Sequence, residues 1–522
     1  MTWEAGPSDG PHTVGRWLTD RASQSPRRIA IDDRGVTMDY ATLALRASDL
    51  ADGFRRAGYG PGDRIATVSG NSADHVVAFF ACALAGLAFA PLSWRLTPRE
   101  LTDLIARSDP AILLAEDEYA ALVGEAVRAL DTGVVVVALG TTGVEASVPA
   151  ARSPRAAARP VRDDDALLII FTSGSEAAPK GVVLTHANCF WNNLALASAV
   201  PIGPDDVVLA MLPQFHVAAW NCQPLLAWWV GATVVLERSF QPARALQLIS
   251  ERRVTVMMGV PTHYALLAAD REWSSTDASS LRVALVGGAT MPASLQDTWT
   301  RRGIPLTQGY GLTEAAPNVL HLPAAEAVSF PGAVGRPYPH VSVRLVDPET
   351  ELPLEGEATG ELWVRGPSVF AGYLDDEMAT AAAMRGEWLR TGDLARRDAS
   401  GVFRIVDRIK DIYISGGENV APAEVEFALA LHPLIEASAV VGVPDPVWGE
   451  RGVAFVVRKA EAILSRDEVL AHARRNLAAF KVPVRVEFVD ALPRSTIEKL
   501  ARSRLRALAR RLQEGERNEH VI

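Results

Sequence analysis

Short apolar runs alternate with longer stretches of helical spacing through most of the N-terminal part of the chain. The runs are rich in valine, isoleucine and leucine, as strands buried on both faces are, and they lie at 134–139, 166–171, 207–212, 232–237, 254–259 and 283–288. This alternation predicts parallel sheets covered by helices. From about Val341 the strands become shorter and are separated by turn residues, which indicates a more antiparallel subdomain.

A second folding unit is predicted after the segment DRIKD (407–411). The pattern there gives a helix, a strand and a further αβ unit, at 422–432, at 437–443 and ending near residue 489. A terminal helix has arginines that we expect to face solvent, and on its apolar stripe lie Ala501, Leu505, Leu508 and Leu512. We therefore place the domain boundary at Lys410, which predicts an N-terminal domain at 1–409 and a C-terminal domain at 410–522.

Length and charge narrow the class of protein. The predicted fold class is α/β, with a large N-terminal body of parallel-rich sheets packed with helices, a β-rich subdomain, and a smaller, mobile α+β C-terminal domain. At 522 residues the chain is too long for a single core. A formal net charge of -10 argues against a nucleic-acid partner. An anionic ligand must therefore be held by local groups.

The cysteines and the apolar segments indicate a cytoplasmic protein. Buried free thiols are favoured over a disulfide or a metal site for the widely separated Cys82, Cys189 and Cys222. A secretory signal would begin with a basic segment that leads into an apolar one, and the N-terminus shows no such pattern. The longest apolar stretch, 76–92, is broken by Gly86 and Pro91. We predict that it forms a buried helix running into a strand, with no transmembrane segment.

The stretch TSGSEAAPKG (172–181) lies between two apolar runs. Its spacing excludes the Walker phosphate loop, which would need glycine at Pro179. Small residues with free backbone N–H groups, several hydroxyls and the Lys180 ammonium are nevertheless groups that wrap a polyphosphate. Lysine occurs only at 180, 410, 459, 481 and 499, so its use here is selective. A plain polar hairpin turn is the alternative.

Three further stretches carry chemistry that fits a nucleotide. QGYGLTE (308–314) brings Glu314 beside an aromatic ring and two glycines, and a carboxylate near a triphosphate requires a divalent cation between them. Asp393 in TGD can accept from two ribose hydroxyls, and Arg408 can donate to the same sugar. Lys499 lies in a loop before the terminal helix. Each stretch also has a structural alternative when it is taken alone. QGYGLTE and TGD could be turns, Arg408 could form a surface salt bridge, and Lys499 could be a surface lysine.

Taken in order, these stretches resemble the adenylate-forming superfamily of acyl-CoA synthetases, adenylation domains of peptide synthetases and firefly-type luciferases. The resemblance covers nearly the whole chain and includes LPQFHVAAW (212–220), LVGGATM (285–291), GYLDDEMAT (372–380) and the segment from DRIKD (407–411) to PAEVE. It implies an ATP-dependent carboxylic acid–CoA ligase. In the implied reaction, acid and ATP give acyl-adenylate and pyrophosphate, and CoA then gives acyl-CoA and AMP, with Mg²⁺ as cofactor.

The resemblance also implies a role for individual residues. The β- and γ-phosphates would be held by Thr172, Ser173, Gly174, Ser175 and Lys180. The rest of the nucleotide would be bound by Gly288, Ala289, Tyr310, Gly311, Thr313, Asp393 and Arg408, with Glu314 and Thr172 at the metal. Lys410 would be the hinge and Lys499 the ammonium that bridges the acyl carboxylate and the α-phosphate. His216 would lie beside the acyl carbonyl, or be a core histidine. Gly417 would line a pantetheine tunnel, with Trp448 nearby.

Departures from the family pattern keep alternatives open. Glu176 and Ala177 alter the phosphate loop, and Glu498 precedes Lys499 in place of a glycine. An adenylate-forming enzyme with a carrier protein, an amine or nitrite as its other reactant is one alternative, and a non-catalytic binding protein is another. The acyl pocket is expected near His216, at 258–260 and at 287–290, with Trp220 setting its depth. Its small apolar residues favour an aromatic or a short- to medium-chain fatty acid. A homodimer is the oligomeric state that the resemblance suggests.

Overall fold

The computed structural model describes residues 12–130, 133–140, 148–151, 159–172, 179–289, 291–304, 306–415, 418–494 and 500–519. The chain divides into two compact units. The first unit comprises residues 1–343 and 363–390, and the second comprises residues 344–362 and 391–522. Lys410 therefore lies inside the second unit, and the predicted boundary at that residue stays a prediction.

The strands and helices of the described residues follow one another along the chain. The strands are β1 Ile29–Asp33, β2 Val36–Asp39, β3 Arg64–Val68, β4 Ala88–Leu92, β5 Ile112–Glu116, β6 Val135–Leu139, β7 Ala166–Thr172, β8 Lys180–Thr185, β9 Val207–Ala210, β10 Thr233–Leu236, β11 Val256–Gly259, β12 Val283–Val286, β13 Leu306–Gly311, β14 Asn318–Leu322, β15 Arg336–Pro337, β16 Ser342–Val346, β17 Pro353–Leu354, β18 Ala358–Arg365, β19 Gly372–Tyr373, β20 Met384–Arg385, β21 Trp388–Arg397, β22 Phe403–Arg408, β23 Tyr413–Ser415, β24 Glu418–Val420, β25 Ile435–Asp445, β26 Gly449–Arg458 and β27 Arg485–Phe488. The helices are α1 Val14–Gln24, α2 Tyr40–Arg56, α3 Ala73–Ala85, α4 Pro98–Ser108, α5 Ala120–Arg128, α6 His186–Ala199, α7 Ala218–Asn221, α8 Pro224–Val230, α9 Pro242–Glu251, α10 Pro261–Ala269, α11 Ala293–Arg301, α12 Ala324–Ala327, α13 Glu377–Ala383, α14 Pro422–Ala430, α15 Arg466–Asn476 and α16 Arg502–Glu519.

The first unit contains two sheets whose centres are parallel. One has the order β15-β14-β13-β12-β11-β9-β10-β1-β2, with parallel pairing from β13 to β1 and antiparallel edges. The other has the order β19-β8-β7-β4-β3-β5-β6, with parallel pairing from β7 to β6. The predicted parallel sheets are thus confirmed, and each of the six apolar runs contains one of their strands. Loops at the carboxyl ends of such strands are where α/β proteins bind ligands.

Helix ends in the first unit follow the capping residues of the sequence. Helix α3 begins after Ser72, whose hydroxyl accepts from the His75 N–H, and it ends at Gly86 in a left-handed conformation. Strand β4 follows directly, so the apolar stretch 76–92 is a buried helix and strand as predicted. Nowhere in the described part of the chain does a helix combine the length and apolar character that a bilayer crossing requires.

A dense core fixes the strands that carry the candidate site. Tyr264 and Trp299 are fully buried between the first sheet and its helices. The Tyr264 hydroxyl donates to the Leu285 carbonyl at 2.7 Å, and the Trp299 indole donates to the Tyr264 carbonyl at 3.1 Å, so both polar groups are satisfied. The three cysteines, all within the described ranges, are buried free thiols, as predicted.

The second unit is mainly antiparallel, which confirms the change predicted from Val341. Strands β16, β17, β21 and β22 belong to an antiparallel sheet, and β25 pairs antiparallel with β26 over its whole length. Helix α16 packs on the latter sheet, with Leu505 and Ala509 buried against Val441 and Phe455. The observed architecture is the predicted one, a large α/β body and a smaller α+β domain.

The prediction that the arginines of α16 face solvent is wrong for two of them. Arg502 binds both carboxylate oxygens of Glu426, at 2.6 and 2.9 Å. Arg506 pairs with the buried Asp411. Helical periodicity correctly identified the apolar stripe of α16. It carried no information on the acidic partners, which lie far away in the sequence.

We predict that Leu505→Ala loosens the second unit. A buried leucine truncated to alanine typically costs about 2–5 kcal/mol, because a cavity remains. Amide hydrogen exchange should therefore accelerate strongly in peptides from α16 and β25. Leu431→Ala is the matched control, since Leu431 is 57% exposed in the same unit. Equal exchange in the two variants would contradict the packing described for α16.

Candidate functional site

Strands β7 and β8 form the base of the candidate phosphate loop. Thr172 ends β7, Lys180 begins β8, and the two residues lie directly opposite each other in antiparallel register. The Thr172 hydroxyl lies 3.5 Å from the Lys180 carbonyl oxygen. The predicted Ser173, Gly174 and Ser175 lie outside the described residues. The stretch is thus a connection between adjacent strands that presents a hydroxyl and an ammonium at its two ends.

A tyrosine that the sequence analysis did not single out joins this loop to Glu314. The Lys180 ammonium lies 5.1 Å from the centre of the Tyr373 ring, a cation–π contact. The Tyr373 hydroxyl donates to Glu314 Oε1 at 2.9 Å. Strand β19 pairs antiparallel with β8. In this pairing Tyr373 lies opposite Val182, which brings Tyr373 to the loop. Ammonium, aromatic ring and carboxylate therefore form one row.

Glu314 is presented by a short 3₁₀ turn, Thr313–Ala315. Its backbone carbonyl accepts from the Phe370 N–H at 2.9 Å, which ties the turn to the segment that leads into β19. The carboxylate uses Oε1 for Tyr373, and a carboxylate has a second oxygen with which it can ligate a hard cation. Glu314 therefore fits the ligand chemistry of Mg²⁺ beside a polyphosphate.

Four of the predicted nucleotide-binding residues lie at the carboxyl ends of neighbouring strands. Strands β12 and β13 are parallel neighbours, and Gly288 and Ala289 follow the first while Tyr310 and Gly311 end the second. Gly288 has φ +79°, which favours glycine, and a Cβ on Gly311 would lie 1.6 Å from the Pro317 carbonyl oxygen. The structure thus brings these four residues to one edge of the sheet, with Gly288 and Ala289 exposed.

The loop that carries His216 is held by buried polar groups. Asn71 donates to the Leu212 carbonyl at 2.8 Å and accepts from the Gln214 N–H at 3.0 Å. Burial lowers the pKa of His75 to about 4, so its ring is neutral at pH 7, with Nδ1 2.9 Å from Gln214 Oε1. A neutral ring bonded to an amide oxygen donates through that nitrogen. His216 itself is half-buried, with its ring centre 4.5 Å from that of Phe215.

A narrow cavity lies beside this loop. Its lining comes from β9, the 211–224 segment and β11: Leu209, Ala210, Met211, Leu212, Ala218, Ala219, Gln223, Pro224 and Met258. None of these residues, all in the described part of the chain, carries a charge. Ala218, Ala219 and Met258 were predicted to line the acyl pocket. Trp220, predicted to set its depth, lies instead in the core, stacked on Phe79 at 4.4 Å.

The second unit carries its own pair of predicted nucleotide residues. Asp393 on β21 and Arg408 on β22 are direct partners in antiparallel register. Arg408 Nε lies 2.6 Å from Asp393 Oδ1, with the carboxylate buried and the guanidinium half-exposed. The Gly392 N–H donates to Glu361 Oε1 at 3.1 Å, which holds β21 in place directly before Asp393. The pair offers acceptor and donor atoms side by side, as recognition of two vicinal hydroxyls requires.

The other predicted residues of the second unit lie further along the chain. Partial burial lowers the pKa of Lys410, and the neighbouring Asp411 opposes this shift. Trp448 is 39% exposed in the turn between β25 and β26. Its backbone N–H donates to Asp445 Oδ1 at 2.9 Å. Gly417 and Lys499 lie outside the described residues.

Comparisons with known proteins give consistent results for the N-terminal and the C-terminal parts of the chain. The family model for AMP-binding enzymes matches residues 18–374, and the model for the AMP-binding enzyme C-terminal domain matches residues 424–499. A feruloyl-CoA synthase from Amycolatopsis sp is 41% identical, with 94% of this chain and 98% of that protein covered. An indoleacetate–CoA ligase from Aromatoleum aromaticum is 35% identical, with 95% and 98% covered.

A solved structure shows the same fold. The o-succinylbenzoate CoA synthetase of Bacillus subtilis, in complex with ATP and a magnesium ion, superposes with a TM-score of 0.83. It is 28% identical, and the match covers 93% of this chain and 98% of that one. Both halves of the chain are therefore accounted for by one family. The chain belongs to the AMP-binding enzyme family, within the adenylate-forming superfamily, and is an ATP-dependent, AMP-forming acyl-CoA synthetase.

Proposed function

We propose that the enzyme activates a compact aromatic carboxylic acid and transfers it to CoA. The observation that carries this proposal is the uncharged lining of the cavity beside the His216 loop, which favours an apolar acyl group. The cavity as it stands is too small for an aromatic ring, so binding would require the flexible side chains of Met211 and Met258 to move. The relatives named for feruloyl and indoleacetate substrates support an aromatic acid over a fatty acid.

The nucleotide would be bound by two sets of residues. In the first unit, Thr172 and Lys180 would hold the β- and γ-phosphates together with Ser173, Gly174 and Ser175. Gly288, Ala289 and Tyr310 would flank adenine, Gly311 would also contact the nucleotide, and Thr313 would contact the α-phosphate. In the second unit, Asp393 and Arg408 would bind the ribose. Their side-by-side placement on paired strands supports this role.

The main obstacle to the first half-reaction is electrostatic. A carboxylate must approach the α-phosphorus of a polyanion, and two like charges 4 Å apart near a protein surface repel by about 4 kcal/mol. Mg²⁺ held by Glu314 and Thr172 would supply countercharge and orient the phosphates. The Lys180 ammonium, positioned over the Tyr373 ring, would neutralise further phosphate charge, and His216 would contact the acyl carbonyl.

Lys499 would supply the last charge, between acid and α-phosphate. Because the same ammonium would obstruct a thiol, we propose that the C-terminal domain, hinged at Lys410, withdraws it before CoA attacks. Gly417 and Trp448 would then line the path of the pantetheine. A cytoplasmic location and a homodimer stay predictions.

A CoA-dependent screen tests the proposed substrate class. Purified enzyme is supplied with ATP, Mg²⁺, CoA and a panel of phenylpropenoic, arylacetic, benzoic and C4–C12 fatty acids, and thioester and AMP are quantified. We expect kcat/KM for the best aromatic acid to exceed that of the best fatty acid at least about tenfold, since a rigid ring loses less conformational freedom on binding than a flexible chain. Highest efficiency with a fatty acid would contradict the aromatic assignment, and pyrophosphate release without thioester would contradict CoA as acceptor.

Substitution of Lys499 separates the two half-reactions. Lys499→Ala should lower the rate of acyl-adenylate formation about 10²–10³-fold, the usual loss when one preorganised donor to a developing charge is removed. Thioester formation from supplied acyl-adenylate and CoA should change little. Lys459→Ala, an exposed lysine of the same unit, serves as control and should affect neither step. Equal loss of both half-reactions in Lys499→Ala would refute its assignment.

A further inference from the structure

The Gln223 side-chain amide is buried in the cavity beside the His216 loop and is without a protein partner among the described residues. Gln223 is only 2% exposed and lines the cavity, yet its Nε2 finds no hydrogen-bond acceptor among the described residues. Gln223 precedes α8 at the N-cap position without capping it through its side chain. The next residue is Pro224, which has no N–H. The side-chain amide of Gln223 is therefore not used to cap the N-terminus of α8.

The backbone around Gln223 is fixed, so the side chain cannot easily leave the cavity. The Asn221 carbonyl accepts from Asn192 Nδ2 at 2.8 Å and from Asn318 Nδ2 at 3.3 Å. The Gln223 carbonyl accepts from the Ala227 N–H at 2.8 Å. These buried bonds tie the segment to α6, β14 and α8. A donor held on such a support is preorganised for a ligand.

Burying an amide donor without an acceptor is unfavourable, and the other cavity-lining side chains are apolar and provide none. We propose that Gln223 is a specificity-determining residue that donates a hydrogen bond from Nε2 to an oxygen of the acid. This inference rests on the proposed acyl-CoA ligase function. It adds that the substrate is not purely apolar.

We place that oxygen away from the reacting group of the acid. The reacting carboxylate would be bound by the nucleotide site and His216, so Gln223 would meet an oxygen elsewhere on the acid. An aromatic acid with a ring hydroxyl, methoxy or carbonyl oxygen meets this requirement. An acid without such an oxygen would leave the amide unpaired in the complex, and sites built to hydrogen-bond a substrate discriminate strongly against the analogue that lacks the group.

The test compares acids that differ only in this oxygen. Wild-type enzyme and Gln223→Leu are assayed for thioester formation with 3-phenylpropenoic acid and with its 3- and 4-hydroxy and 3- and 4-methoxy derivatives. For the wild type we expect kcat/KM to be about ten- to a hundredfold higher for at least one oxygenated acid than for the parent acid. In Gln223→Leu this preference should fall to within about threefold, with activity on the parent acid retained or raised. Methoxy acids accept but do not donate, so their preference isolates donation by Gln223.

Gln241→Leu is the matched control, because Gln241 is also an N-cap residue followed by proline but is exposed. It should keep the wild-type preference. Gln223→Met preserves side-chain length, and its loss of preference with unchanged thermal unfolding would show that Gln223→Leu does not act by misfolding. A wild-type enzyme that forms thioesters equally well from parent and oxygenated acids would overturn the role of Gln223 alone. Absence of thioester with every acid would overturn the proposed function and this inference together.

Discussion

The pairing of β19 with β8 is the contact on which the nucleotide-binding row depends. It places Tyr373 between the Lys180 ammonium at 5.1 Å and the Glu314 carboxylate at 2.9 Å. A cation and an anion are thereby held on either side of one aromatic side chain. In the proposed function, this separation would let the ammonium meet phosphate while the carboxylate stays available to a metal ion. Without the strand pairing, nothing in the local sequence of either motif would set this spacing.

The acyl side of the site follows the opposite principle. Its lining is uncharged, and the loop carrying His216 is positioned from behind by Asn71, by the neutral His75 and by amides of the core. The Asn71 and His75 side chains bond to the loop or to Gln214, whereas Gln223 Nε2 has no acceptor among the described residues. In the proposed function, charged groups would define where the reaction takes place, and the neutral Gln223 donor would select the acid.

Much of this arrangement could be predicted from the sequence, because the signals are local. Runs of β-branched residues identified the parallel strands, and the motifs at Lys180, Glu314 and Asp393 led to the nucleotide site that we propose. The features that sequence reasoning missed depend on pairings between distant segments. Tyr373 gains its role only when β19 joins β8. From the sequence, Trp220 could line a pocket or fill a core equally well. Its stacking on Phe79 shows that it lies in the core. Arg502 and Arg506 meet acidic partners that periodicity cannot locate.

The central claim is that Tyr373 holds Glu314 in position for Mg²⁺, and removing the tyrosine hydroxyl tests it most directly. Tyr373→Phe keeps the ring beneath the Lys180 ammonium and removes only the hydroxyl that bonds Glu314. Acid-dependent ATP–pyrophosphate exchange, measured over a range of Mg²⁺ concentrations, reports the first half-reaction. We predict that the Mg²⁺ concentration for half-maximal exchange rises several-fold in Tyr373→Phe while exchange at saturating Mg²⁺ is largely kept. An unchanged Mg²⁺ dependence would contradict the proposed link between the tyrosine, the carboxylate and the metal.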